Sequence, residues 1–279
     1  MLTQEKPKPK NYYKAKEHLA SIKHISHPYL NRNDEVSGRT YFAFGDVHGE
    51  FDMMMDALGN AGFDILNDDH HIISLGDSFD RGRQNLKVYQ FLMWMISKKR
   101  LVSILGNHDT FLQEFIDLNR AMLDFNTRHN GFDKTIAEFA AVNHWEVRKH
   151  DIRVLAAKAQ HLNIRKFLNH TVPYFELGQF IFTHAGMTEV DDGAWEINNW
   201  AQTPAFVRDY KTFGRTHVFG HWGAFKLEDN DVETWAGMPF IHKYGGFIGL
   251  DAWCGLSKHI LVAKFAKING DWEIVSIDI

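Results

Sequence analysis

The chain has 279 residues, a hydrophobic fraction of 44%, a charged fraction of 24% and a formal net charge of −4 at pH 7, which indicates one large globular domain. The acidic balance argues against a protein devoted to nucleic acid, and no apolar run reaches the roughly 18 residues of a membrane helix. A single cysteine, Cys254, excludes an internal disulfide framework, so a reducing cytoplasmic location is expected.

The N-terminus is rich in lysine and lacks the apolar segment of a secretion signal. We expect residues 1–36 to be a partly disordered leader, with a basic binding arm as the alternative. Residues 37–279 are expected to form the folded domain.

Short β-branched or aromatic runs that end in glycine or a polar residue recur along the chain, as in buried strands. They are Tyr41–Phe44, Ile72–Leu75, Leu101–Leu105, Phe180–Thr183, His217–Phe219 and Phe247–Leu250. Met53–Ala61 and Leu86–Ser97 have helical periodicity between the first of these runs. Alternation of strand and helix predicts an α/β sheet.

The region from Phe111 to Phe167 differs from the rest because its pattern is mostly helical. FLQEFIDLNRAMLDF and TIAEFAAV are its clearest amphipathic pieces. We therefore predict a helical cap over about residues 111–170, inserted into the sheet domain.

Polar residues follow the predicted strands at the points where the strands end. In open α/β sheets, ligands bind beyond the carboxyl ends of the strands, so these side chains should converge. They are Asp46, His48, Asp77, Asn107, His108, His184 and His221.

This set combines carboxylates, imidazoles and an amide oxygen without a thiolate, which suits Mn, Fe or Zn. Its size exceeds the needs of one ion and fits two ions roughly 3.5 to 4 Å apart, with Asp77 as the bridging ligand. Taken singly, each of these residues could instead favour a turn at the end of a strand, and each glycine could serve only to reverse the chain direction.

Five motifs occur in a recognisable order: GDVHG (45–49), GDSFDRG (76–82), GNHD (106–109), HAG (184–186) and GH (220–221). This order resembles the signature of the calcineurin-like metallophosphoesterases, and in particular the phosphoprotein phosphatases with their bacterial and phage relatives. The resemblance spans roughly Thr40 to Ile260. It implies a β-sandwich of mixed sheets flanked by helices, with the helical cap inserted in a catalytic domain of residues 37–279.

The resemblance also implies roles for individual residues. One ion would be held by Asp46, His48 and Asp77, and the other by Asp77, Asn107, His184 and His221. The expected cofactors are two divalent ions, with Mn preferred and Fe or Zn as alternatives. His221 is preferred to His217 because it follows the strand-ending glycine.

Further roles concern the reaction, which the resemblance assigns to a metal-bridging hydroxide without a covalent intermediate. His108 would protonate the leaving oxygen and Asp80 would hold it charged. Arg81 and Asn107 would bind the phosphate, and Arg208, in FVRDY, is nominated as a second phosphate-binding arginine. Cys254 is expected to pack at a strand end.

The motifs divide between two substrate classes. GNHD, FGHW (219–222) and LDAWCG (250–255) are similar to symmetrical diadenosine tetraphosphate hydrolases, and Phe79 and Asp109 depart from the phosphatase pattern. NGFDKTIAEF (130–139) looks like the cap of bacterial and phage serine/threonine phosphatase-like proteins, which favours a phosphomonoesterase.

Three hypotheses follow for the substrate. The first is a phosphatase acting on phosphoserine or phosphothreonine proteins and small aryl phosphates. The second is a dinucleoside polyphosphate hydrolase, for which Trp145, Trp195, Trp200 and Trp222 could supply a base-stacking surface. The third is a non-catalytic phosphate-binding protein. A phosphorylated protein or small phosphoester is the expected partner, and the oligomeric state is left open.

Overall fold

The structure, a computed structural model, describes residues 38–190, 194–197, 215–223, 240–241 and 246–279. The predicted leader, Arg208 and Trp200 lie outside these ranges. Their predictions therefore stay predictions.

A six-stranded sheet contains the first three predicted strands. Its order is β13-β12-β1-β2-β3-β4, and β1 to β4 run parallel to one another. Strand β12 pairs antiparallel with both β1 and β13. The bounds are β1 Thr40–Phe44, β2 His70–Ser74, β3 Leu101–Ile104, β4 Thr171–Val172, β12 Val262–Ile268 and β13 Asp271–Asp278.

A five-stranded sheet contains the three later predicted strands. Its order is β10-β11-β9-β6-β5, with a parallel centre of β11, β9 and β6. The bounds are β5 Tyr174–Leu177, β6 Phe180–Thr183, β9 Thr216–Phe219, β10 Phe240–Ile241 and β11 Phe247–Gly249. Two further strands, β7 Met187–Val190 and β8 Ala194–Ile197, form a separate antiparallel pair.

Helices follow the first strands and fill the predicted cap region. Helix α1 spans Phe51–Asn60 and α2 spans Asn85–Ser97. Between β3 and β4 the chain is almost entirely helical: α3 Thr110–Ile116, α4 Arg120–His129, α5 Phe132–Ala140, a 3-10 helix His144–Lys149, α6 Ile152–Ala159, a 3-10 helix Gln160–Leu162 and α7 Ile164–Leu168. A short α8, Cys254–Ser257, follows β11.

The two large sheets pack face to face through aromatic side chains. The rings of Phe180 and Phe182 on β6 lie 5.0 and 5.1 Å from the ring of Phe265 on β12. All three side chains are buried, and burial of a phenylalanine stabilises the fold by about 1.5–3 kcal/mol. The predicted class, an α/β protein with a sandwich of mixed sheets flanked by helices, is confirmed.

Phe79, in the loop after β2, packs against two cap helices and α2. Its ring is fully buried and lies 5.4 Å from Phe167, 6.0 Å from Phe139 and 6.2 Å from Tyr89. The departure from the phosphatase pattern at this position therefore serves core packing.

Strands β12 and β13 were not among the predicted strands, although β13 begins with the alternating pattern of a half-buried strand, Asp271–Ile274. They place Phe265 and Trp272 in the core. None of the helices within the described ranges is long and apolar enough to cross a membrane.

Candidate metal centre

The polar residues predicted to converge lie at adjoining carboxyl ends of strands from both sheets. Within the five-stranded sheet, Gly220 N donates to His184 O at 2.9 Å. The two sheets meet where His221 N, after β9, donates to the carboxylate of Asp46, after β1, at 2.9 Å. Parallel strands present their carboxyl ends on the same side, so both sheets direct their strand-end residues to one place.

Two glycines allow this close approach. A Cβ at Gly106 would lie 2.3 Å from the backbone nitrogen of Asp77, and a Cβ at Gly220 would lie 2.4 Å from Oδ1 of Asp46. Real Cβ atoms essentially never approach other atoms this closely. The strand-end glycines therefore make room for the carboxylates that follow the neighbouring strands.

Five of the predicted site residues have a left-handed backbone. The φ angles are 46° at His48, 50° at Asp77, 77° at Asp80, 60° at Arg81 and 59° at His221. Non-glycine residues in this region cost about 1–3 kcal/mol each when the conformation is strained, and such residues cluster at functional sites. The left-handed conformations in these strand-end loops therefore position the site residues and lower the local stability of the loops.

Two histidines are oriented by backbone carbonyls. Nδ1 of His48 donates to Phe79 O at 2.9 Å, and Nδ1 of His184 donates to Leu75 O at 2.7 Å. Burial lowers the pKa of both imidazoles well below the usual range, so each is neutral and carries its hydrogen on Nδ1. The Nε2 atom of each ring is then an acceptor with a free lone pair, which is the orientation of a histidine that ligates a metal.

These Nε2 lone pairs face other acceptors. His184 Nε2 lies 3.1 Å from the Asn107 side-chain oxygen and 3.3 Å from an Asp77 carboxylate oxygen. His48 Nε2 lies 3.9 Å from a carboxylate oxygen of Asp46 and 3.9 Å from one of Asp77. Two hydrogen-bond acceptors that face each other repel unless a positive charge lies between them. The arrangement of these side chains therefore fits bound cations.

The pKa values of the buried carboxylates also favour a bound cation. Burial raises the pKa of Asp46 well above its usual range, and Asp251 and Asp77 raise it further. Burial likewise raises the pKa of Asp77, with Asp109 as the next cause. A divalent cation would reverse both effects by favouring the ionised carboxylates.

Asp77 is shared by two groups of potential ligands. Its carboxylate lies with His48 and His108 in one group and with His184 and His221 in the other, with ligand atoms inside each group no more than 4.8 Å apart. A shared carboxylate between two clusters is the arrangement that two neighbouring ions require.

His108 belongs to the first cluster by distance, but its contacts argue against ligation. Nδ1 donates to Asp80 Oδ2 at 2.7 Å, and Arg81 Nη2 donates to Nε2 at 3.1 Å. A cation on Nε2 would lie beside the guanidinium and be repelled by it. The structure therefore places His108, Asp80 and Arg81 together at the edge of the cluster, as the sequence motifs predict.

Sequence reasoning left Asp109 and Asp251 out of the site. The Asp109 carboxylate accepts from the backbone nitrogens of Gly106, Asp77 and Ser78 at 2.9, 3.0 and 3.1 Å, so it holds two of the strand-end loops together. Asp251 is buried at the end of β11 close enough to raise the pKa of Asp46. Its position directly after a predicted strand was the signal that could have included it.

His217, the alternative to His221, and two other histidines lie elsewhere. His217 is buried inside β9 and stacks on Phe247 with ring centroids 5.1 Å apart, His129 contacts Phe125 and His170 bonds to Lys166 O. None belongs to the two ligand groups found in the described residues.

Cys254 begins α8, in the segment that follows β11, and is buried. Burial raises the pKa of its thiol to about 12, which leaves it protonated and unsuited to nucleophilic attack.

Comparison with known proteins agrees with this geometry. The family profile described as Metallophos, calcineurin-like phosphoesterase, matches residues 40–246. The chain is 28% identical over 157 residues to a protein named bis(5'-nucleosyl)-tetraphosphatase PrpE [asymmetrical] from Halalkalibacterium halodurans, covering 54% of this chain and 58% of that protein. It is 29% identical over 105 residues to the protein of the same name from Oceanobacillus iheyensis, covering 36% of this chain and 40% of that protein.

The chain thus spans less than two thirds of the length of either relative. Among solved structures, a protein serine/threonine phosphatase from Saccharomyces cerevisiae aligns with a TM-score of 0.51 at 13% identity, covering 88% of this chain and 81% of that one. At this identity the likeness concerns the fold alone.

Proposed function

The chain belongs to the calcineurin-like phosphoesterase family, and we propose that it is a phosphoric ester hydrolase, namely a dimetal-dependent phosphomonoesterase. Its proposed substrates are phosphoserine or phosphothreonine in proteins and small aryl phosphates. The proposed metal ligands are Asp46, His48, Asp77, Asn107, His184 and His221, with Mn as the preferred ion and Fe or Zn as alternatives.

The observation that carries the proposal is the convergence of unprotonated acceptors on Asp77. His184 Nε2 and the Asn107 oxygen face each other at 3.1 Å, and the same nitrogen faces Asp77 at 3.3 Å. A binding module for an anion would instead present donors here. When bound, divalent ions would activate a water molecule and neutralise the phosphoryl oxygens.

The chain's own residues supply the remaining chemistry. Arg81 is exposed, so its guanidinium can turn from His108 onto a phosphate, which it would bind through two hydrogen bonds. That movement exposes the Nε2 lone pair of His108, which can then take up a proton from solvent, and the resulting imidazolium would give that proton to the leaving oxygen as the phosphorus–oxygen bond breaks. The Asp80 carboxylate holds the His108 ring in place during the transfer, since its Oδ2 lies 2.7 Å from Nδ1 of His108.

The test is hydrolysis of an aryl phosphate by protein treated with excess chelator and then supplied with Mn. We expect chelation to abolish hydrolysis and Mn to restore it. Full activity in excess chelator would refute metal catalysis. A protein that binds Mn tightly but hydrolyses no phosphoester would favour the non-catalytic alternative.

A second candidate, hydrolysis of dinucleoside polyphosphates, is favoured by two observations. Both curated relatives carry the name of an asymmetrical tetraphosphatase. A groove of about 790 Å³ also adjoins the site; besides acidic side chains it is lined by Arg81, Arg83, Lys134 and Lys258. Four cationic side chains could follow a chain of several phosphates.

The two candidates are separated by rates on a phosphopeptide and on diadenosine tetraphosphate with the same Mn-loaded sample. If the polyphosphate is the substrate, Arg83→Ala should lower kcat/KM for it by about 10-fold while leaving aryl phosphate hydrolysis unchanged, because a charged hydrogen bond contributes about 1.5–3 kcal/mol. Faster turnover of the phosphopeptide, with no effect of Arg83→Ala, would support the phosphomonoesterase.

A further inference from the structure

The loop that carries Asp80 and Arg81 is held by one helix of the cap. Helix α5 and the glycine before it contact this loop and the adjoining start of α2 at four positions. Gly131 O, just before the helix, accepts from Arg81 N at 3.4 Å, and the Lys134 ammonium donates to Arg81 O. Thr135 and Glu138 are three residues apart and so lie on one helical face; Thr135 contacts Asp80 and Glu138 contacts the start of α2.

Thr135 bonds directly to the Asp80 carboxylate. Its side chain is fully buried, and its hydroxyl donates to Asp80 Oδ1 at 2.5 Å. The same hydroxyl oxygen accepts from Asp80 N at 3.1 Å. The second carboxylate oxygen, Oδ2, is the one that accepts from His108 Nδ1 at 2.7 Å. The carboxylate is therefore held at both oxygens, on one side by the histidine and on the other by the cap.

Glu138 supports the same arrangement through a neighbour. Its carboxylate accepts from the Asn85 amide at 2.9 Å and from Leu86 N at 2.9 Å. The Asn85 oxygen in turn accepts from Asp80 N at 2.7 Å. Because Asp80 and Arg81 both have a left-handed backbone, the loop keeps its shape only where surrounding contacts enforce it, and helix α5 provides them.

Electrostatics gives the Thr135 contact a specific consequence. Burial raises the pKa of Asp80 well above its usual range, and the hydrogen bond from Thr135 is the largest opposing effect. A hydroxyl that donates to a carboxylate favours the ionised form. An ionised, correctly turned Asp80 is the form that can hold the His108 ring with Nε2 toward the leaving oxygen.

We propose that Thr135 of the cap is a positioning residue for proton transfer by His108, acting through the Asp80 carboxylate. This inference rests on the proposed hydrolase function. It assigns the cap a part in the chemistry: the helical segment between β3 and β4 completes the His108–Asp80 pair. Thr135 itself touches neither substrate nor metal.

The test uses leaving groups that differ in their need for a proton. Phenyl phosphate releases a phenol with a pKa of about 10, whereas dinitrophenyl phosphate releases a far more acidic phenol that departs without protonation. With Mn-loaded Thr135→Val, we expect kcat on phenyl phosphate to fall about 10- to 100-fold and kcat on dinitrophenyl phosphate to change by less than about 2-fold. KM values should change little, and Thr135→Ser should restore most of the loss.

Thr127→Val is the matched control. Thr127 is a buried threonine of the same cap whose hydroxyl bonds only locally, to Asp124 O at 3.3 Å. We expect Thr127→Val to leave the ratio of kcat on phenyl phosphate to kcat on dinitrophenyl phosphate at the wild-type value. Thr135→Ala provides a second variant if valine prevents folding.

A second measurement does not depend on activity. In metal-free protein, the ¹H NMR resonance of the His108 Nδ1 hydrogen, identified by its loss in His108→Asn, should shift in Thr135→Val and return in Thr135→Ser. An equal loss on both substrates, or an unchanged rate ratio with an unshifted resonance, would overturn the inference while leaving the hydrolase proposal intact. A wild-type protein inactive on both substrates with Mn would overturn the proposed function and this inference with it.

Discussion

Replacing Gly220 by alanine should damage the metal centre without unfolding the protein. The backbone of Gly220 is not left-handed, so alanine is permitted there. The only severe contact of the added Cβ is Oδ1 of Asp46 at 2.4 Å, and the next atom, Leu75 Cβ, lies at 3.6 Å. The substitution therefore acts on one predicted metal ligand.

The structure sets the size of the displacement. The carboxylate oxygen must retreat from 2.4 Å to at least 3.0 Å from the new Cβ, a movement of about 0.6 Å that also lengthens its 2.9 Å bond to His221 N. A misplacement of about 1 Å in a catalytic site costs on the order of 100-fold in rate. We therefore expect Gly220→Ala to lower kcat on an aryl phosphate by about 10- to 100-fold, and to weaken Mn binding by a similar factor.

Three measurements check this: kcat at saturating Mn, calorimetric titration of metal-free protein with Mn, and thermal unfolding without metal. The matched control is Gly59→Ala, an exposed helical position where an added Cβ meets nothing within 4 Å. It should be slightly stabilising, by about 0.5–1 kcal/mol, with wild-type activity. If Gly220→Ala binds Mn and turns over as well as Gly59→Ala does, Asp46 is not a ligand at the position described.

His108→Asn should lower turnover by about 100-fold or more at unchanged Mn stoichiometry, measured by steady-state kinetics and metal analysis; loss of metal would instead make His108 a ligand. Arg81→Ala should raise KM for an aryl phosphate by about 10-fold, because a charge-assisted bond to phosphate is lost; an unchanged KM would remove Arg81 from phosphate binding. Phe79→Ala should lower the free energy of unfolding by about 3–5 kcal/mol in denaturant titration. Phe125→Ala in the cap, where the ring is 54% exposed, should change it by no more than about 0.5 kcal/mol; equal effects would contradict the packing of Phe79 against the cap.

The predicted strands match the structure closely because the signal behind them is local. Phe180–Thr183 is identical in prediction and structure, and the others differ by one or two residues at an end. A buried strand that stops at glycine and a polar residue has a composition visible within a few positions. The identity of the strand-end residues, and therefore the O and N character of the site, follows from the order of the chain alone.

The local sequence pattern does not predict the orientation of the strand-end side chains. Which nitrogen of His184 faces Asp77 depends on the carbonyl of Leu75, 109 residues earlier in the chain. The bond between Thr135 and Asp80 joins residues 55 positions apart. No periodicity in either segment encodes such a contact, because it is created when the cap packs against the sheet.

The sequence by itself therefore determined the strand ends, their glycines and the chemical types of the ligands, since these depend on backbone conformation and burial over a few residues. Tertiary packing determined the shared position of Asp77 between two ligand groups, the separation of His108 from them, and the inclusion of Asp109, Asp251 and Thr135. The physical reason is that hydrogen-bond direction and charge proximity are properties of atoms in space, and two sheets and a helical cap must meet before those properties exist.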